Sequence, residues 1–85
     1  MSYEIIIKRD AKKEIKTLPN NIQINIIEHI YDLKENPRPS GCKKLVGDTD
    51  YWRIRVGRYR VIYTIEDEIL TIEVIKVAHR KDVYK

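Results

Sequence analysis

Eighty-five residues and 10.2 kDa allow one small domain over residues 1–85 and exclude a multi-domain enzyme. With 42% hydrophobic against 35% charged residues the apolar core is modest, and no apolar run reaches the ~18 to 20 residues a bilayer span needs. A net charge of +4 favours a polyanionic partner; a single cysteine, Cys42, with no Cys or His cluster excludes an internal disulfide and leaves a structural metal without ligands.

Residues 3–8 are short, β-branched and flanked by charge, which predicts a strand. Asp10 can cap a helix over Ala11 to Leu18, in which Ala11, Ile15 and Leu18 fall at helical spacing and Pro19 ends the run. Asn20 or Asn21 is a candidate N-cap for a longer helix whose stripe is Ile22, Ile26, Ile27, Ile30 and Leu33, stopping before Asn36-Pro37. His29, in mid-helix, reads as a packing or surface residue. Residues 36–42 form a loop, Lys43 to Val46 a brief strand, and Gly47 to Asp50 a turn.

Beyond Asp50 the pattern is β. Trp52, Ile54 and Val56 alternate with Tyr51, Arg53 and Arg55; after Gly57-Arg58, Tyr59, Val61 and Tyr63 alternate with Arg60 and Ile62. Glycine at the first turn position suits a type II′ hairpin, setting Val56 opposite Tyr59 and Arg55 opposite Arg60. After the acidic run 66–68 a last strand places Leu70, Ile72 and Val74 toward the helices and Glu73, Ile75 and Val77 on the other face. The expected architecture is α+β, in the order β-α-α-β-β-β, with two antiparallel helices on one face of a mainly antiparallel twisted sheet.

That register sends Arg53, Arg55 and Arg60 out of the sheet on one face, where opposed cations repel unless an anion joins them. Acids of a neighbouring strand such as Glu73 offer the alternative of a merely solvated, balanced surface. Downstream, His79, Arg80 and Tyr84 form a second basic and aromatic cluster; curled over the sheet, they complete a pocket of phosphate-binding cations, a titratable ring and a phenol. Such a set fits phosphodiester binding or cleavage. Attack of an RNA 2′-hydroxyl on the adjacent phosphorus needs a base, cations for the phosphorane charge and an acid for the leaving oxygen. Arginine meets the second need; the residues leave the first and third open between Tyr84 and His79.

The run Tyr51 to Tyr63, with Val77 to Tyr84 downstream and the strand, helices and Lys44-Leu45 upstream, resembles the RelE/ParE superfamily of toxins over nearly the whole chain. The resemblance to its RelE branch implies the toxin of a type II toxin-antitoxin system, a ribosome-dependent endoribonuclease that cuts mRNA in the A site. It implies RNA contact by Arg53 and Arg55, with Arg58 and Lys81 adding charge; Arg60 on the scissile phosphate; Arg80 or His79 at the leaving group; and Tyr84 orienting the 2′-hydroxyl or a stacked base. No metal or other cofactor is implied. Implied partners are a cognate antitoxin, the ribosome and mRNA, with operator DNA reached only through the antitoxin complex; the expected location is the cytoplasm, off any membrane. The rival readings are a ParE-like inhibitor of DNA gyrase and a non-enzymatic basic module binding RNA or protein.

Overall fold

The computed structural model describes residues 2–47 and 50–79. Along the chain run strand β1 (Glu4–Ile7), helix α1 (Arg9–Lys16), helix α2 (Asn20–Asp32), and strands β2 (Lys43–Lys44), β3 (Tyr51–Val56), β4 (Tyr59–Glu66) and β5 (Thr71–His79). The strands form one sheet in the order β1-β5-β4-β3-β2, antiparallel except where β1 pairs in parallel with β5. The α+β arrangement of two helices against a mostly antiparallel sheet is the expected one, with the brief second strand reduced to Lys43 and Lys44.

Burial explains the layering. Ala11 and Ile15 from α1, Ile26 and Ile30 from α2, and Leu33 just beyond its end meet Ile54, Val56, Val61, Tyr63, Ile72, Val74 and Val77 from the sheet in a single core. The hydrophobic effect fixes which face of each strand looks inward, because period-2 alternation leaves no other way to bury these side chains together. β3 and β4 pair in the expected register, Val56 with Tyr59 and Arg55 with Arg60. Gly57 has φ +61° while Arg58 is not at positive φ, the pattern of a type II′ turn.

Three local expectations change. Neither helix start uses an Asp or Asn side chain: Lys8 is the N-cap of α1, leaving Asp10 in its first turn, and Pro19 is the N-cap of α2, with Asn20 already helical. Proline suits that place because its fixed φ is preset and its missing N–H is not needed there. Leu70 is not a strand residue; it closes a 3-10 turn (Asp67–Ile69) in the left-handed region at φ 49°. Val77 points to the core, 1% exposed and opposite Val61, although simple alternation puts it on the far face. The cause is a β-bulge: Ile62 pairs with Lys76 but Tyr63 with Val74, so Ile75 is the extra residue and alternation resets beyond it.

The loop between α2 and β2 is fastened to the sheet. Tyr63 is fully buried, and its hydroxyl donates to the Pro37 carbonyl at 2.8 Å; burial, and next Cys42 nearby, push this phenol far above the ordinary tyrosine range. Arg38 forms an ion pair of 2.9 Å with Asp67, and its guanidinium lies 5.1 Å from the Trp52 ring centroid. Tyr3 donates its hydroxyl to the other carboxylate oxygen of Asp67 at 2.6 Å. Three segments distant in sequence thereby hold the loop in place.

Candidate active site

The hairpin register decides what the helix-free face carries. Ile54 and Val56 alternate inward, so Arg53 and Arg55 leave β3 on the opposite side, and Arg60 leaves β4 on that same side because it stands directly across from Arg55. Their environments differ. Arg55 is exposed, whereas Arg53 and Arg60 are 3% and 7% exposed. Arg60 has Ala78 opposite it on β5, and Arg53 faces Ile62; both apolar neighbours are buried although they lie away from the helices. Neither buried arginine is an isolated charge, since each interacts with other groups of the chain. Low local polarity lengthens the reach of such a charge toward an anion. Glu73, weighed above as a neutralising acid, instead pairs with Lys8 at 3.9 Å.

Arg58 occupies the second turn position and is exposed. His79 does not share the arginine face. It pairs with Tyr59, whose side chain packs on the core, and the two rings meet edge to face at 5.5 Å. With Ile22 and Asn25 of α2 it borders a recess on the helix side. The expected pocket uniting His79 with these arginines is therefore corrected by strand parity: the bulge at Ile75 turns Val77 and His79 inward and Ala78 outward. Arg80, Lys81 and Tyr84 lie outside the described residues.

Sequence reasoning passed over a cleft of about 560 Å³ beside the same arginines. Its walls include His29, Asp32 and Asn36 from α2 and the segment after it, and Lys43, Arg53 and Arg55 from β2 and β3. His29 Nδ1 lies 2.8 Å from the Asn25 carbonyl, to which it donates, so the neutral ring keeps Nε2 as an acceptor. A signal was present: His29, Asp32 and Asn36 recur at helical spacing as a polar stripe beside the core stripe. Among the described residues no group of His, Cys, Asp or Glu side chains could hold a metal ion.

The two helices leave one face of the mostly antiparallel sheet uncovered, and the arginines of β3 and β4 concentrate there. Residues 5–84 match the family model described as ParE toxin of type II toxin-antitoxin system, parDE, and the chain belongs to this family. Toxin RelG of Mycobacterium tuberculosis is 30% identical over 89 residues, covering 100% of this chain and 99% of its own. Toxin RelE of the same organism is 32% identical over 85 residues, covering 98% and 87%. The toxin chain in the crystal structure of the archaeal RelE-RelB complex from Pyrococcus horikoshii superposes with a TM-score of 0.84 at 29% identity, covering 96% of this chain and 99% of that one.

Proposed function

We propose that this toxin is a ribosome-dependent endoribonuclease that cleaves mRNA in the A site, using the arginine face of β3 and β4 to bind the scissile phosphate. The observation that carries the reading is the placement of Arg55 directly opposite Arg60, with Arg53 on the same face. Opposed cations destabilise a strand pair, and an RNA phosphate between them reverses that sign. The full-length similarity to RelE toxins supports it.

In this mechanism the 2′-hydroxyl attacks the neighbouring phosphorus, the phosphorane forms, and the bond to the 5′-oxygen breaks, leaving a 2′,3′-cyclic phosphate. Arg60 grips the non-bridging oxygens as charge accumulates, because its guanidinium stays protonated at any working pH. Arg53 and Arg55 carry the flanking backbone, with Arg58 at the rim. At the leaving oxygen Arg80 is favoured over His79, which departs from β5 on the helix side; its guanidinium neutralises the developing charge while water supplies the proton, and Tyr84 keeps the role of orienting the attacking hydroxyl, whose proton passes to water. A cognate antitoxin binds and neutralises the toxin, a reading supported by the similarity to the RelE-RelB complex of Pyrococcus horikoshii; operator DNA is reached only through the antitoxin complex.

One observation favours a second reading, inhibition of DNA gyrase: the matching family model is described as a ParE toxin. Incubation with programmed ribosomes beside a gyrase supercoiling assay separates the two. The nuclease reading expects cut mRNA and unaffected supercoiling; gyrase inhibition without cleavage refutes it.

A further inference from the structure

Tyr51 accepts a hydrogen bond through its carbonyl from Leu45 N–H at 2.9 Å, so its main chain faces the β2 side of the sheet. Main-chain direction alternates along a strand, which turns Arg53 and Arg55 the same way. β2 reaches only as far as Lys43, opposite Arg53. Among the described residues no strand covers Arg55 on that side, and its N–H and carbonyl open side by side into the 560 Å³ cleft. Lys43 and Arg55, both exposed, line its strand wall, and His29, whose Nδ1 donates to the Asn25 carbonyl, lines its helix wall. Asp32 is the acid on that wall, one carboxylate against Lys43, Arg53 and Arg55.

We infer that this cleft is a nucleotide subsite, seating the unpaired RNA residue that flanks the cut bond, with Lys43 on its phosphate and His29 and the Arg55 main chain on its base. The inference rests on the nuclease reading above and names a part of the substrate site. Three features favour RNA as the occupant. Arg53 and Arg55 line the cleft while their side chains leave the sheet on the scissile-phosphate face, so the cleft adjoins that face at these two residues. A main-chain donor and acceptor side by side match the hydrogen-bonding edge of a base, which single-stranded RNA exposes. The ring of His29 adds a flat surface for that base. The loop wall is held open from behind by the Arg38–Asp67 pair and the Tyr63–Pro37 hydrogen bond, so the cleft needs no rearrangement to admit a nucleotide.

The test is cleavage by the full chain on programmed ribosomes, with mRNAs carrying each of the four bases beside the cut position. For His29→Ala the expectation is a flattened base preference and a kcat/KM for the preferred base lower by about fivefold or more, expressed chiefly in KM. Lys43→Ala weakens all sequences alike and reduces the salt dependence, and Glu28→Ala, on the exposed surface of α2, is the control that changes neither. A second measurement follows amide NMR shifts on adding an uncleavable trinucleotide with a 2′-deoxy sugar at the cut position; Ser40, Gly41, Lys43 and Arg55 are expected to move. Normal cleavage with an unaltered base profile in His29→Ala overturns the subsite and leaves the nuclease reading standing. Cleft amides that shift while the wild type cuts no RNA retain the subsite and remove the nuclease reading.

Discussion

Arg55 and Arg60 are register partners across β3 and β4, two like charges on one sheet face, one residue pair away from the Val56–Tyr59 pair that closes the hairpin. Stability and function make opposite demands on this pair. Arg55→Glu sets an acid against Arg60 and is expected to stabilise the fold by ~0.2–1 kcal/mol, the range of a favourable cross-strand pair. The same change repels RNA, so a higher Tm with lost cleavage is the expected combination; a lower Tm contradicts the repulsion.

Gly57 sets that register. Its φ of +61° disfavours any residue with a Cβ, although open space surrounds the position. Gly57→Ala is expected to cost ~1–2 kcal/mol in urea denaturation, and Gly57→Asn less, since asparagine visits this region more readily. Equal losses for the two would point to packing instead of backbone conformation.

The fastened loop gives an acid-side signature. Bonds from Arg38 first and Tyr3 second hold the Asp67 carboxyl below the usual carboxylate range. A depressed folded value means that this contribution is complete above the unfolded value of about 3.9 and disappears as pH falls through the folded one. Melting curves taken downward from about pH 6 should show a Tm decline below about pH 4 that is shallower in Asp67→Asn. Tyr3 has the opposite sign: the bond to Asp67 raises its phenol, so its contribution is lost on the alkaline side.

Tyr63→Phe removes the donor to the Pro37 carbonyl without emptying the core. An unpaired carbonyl in a partly buried site costs ~1–3 kcal/mol, readable as a lower urea midpoint at unchanged m-value. Faster amide exchange in residues 38–42 should accompany it, because the loop loses one of its fastenings; protection equal to wild type would assign the loop's order to Arg38 alone.

The elements, the hairpin and its register were legible because each rests on local signals: β-branched runs, helical stripes at Ile26 and Ile30, and a glycine where the turn needs positive φ. The bulge at Ile75 was not, since an inserted residue leaves the local hydrophobicity of β5 unchanged and shows itself only in pairing with β4. Its consequence was large, moving Val77 to the core and His79 away from Arg60. The Arg38–Asp67–Tyr3 cluster was equally hidden, because its members lie 29 and 64 residues apart in sequence. His29 was visible as a residue but not as part of a cleft, which exists only where β2 stops short of Arg55.

Mapping the 5′ ends of cellular transcripts after induction tests the central claim most directly, with wild type and Arg60→Ala side by side. New ends clustered within coding sequences are expected for wild type, and their loss by about a hundredfold or more for Arg60→Ala, the scale of removing one transition-state charge contact. Growth arrest without new transcript ends, or new ends that persist in Arg60→Ala, would contradict it.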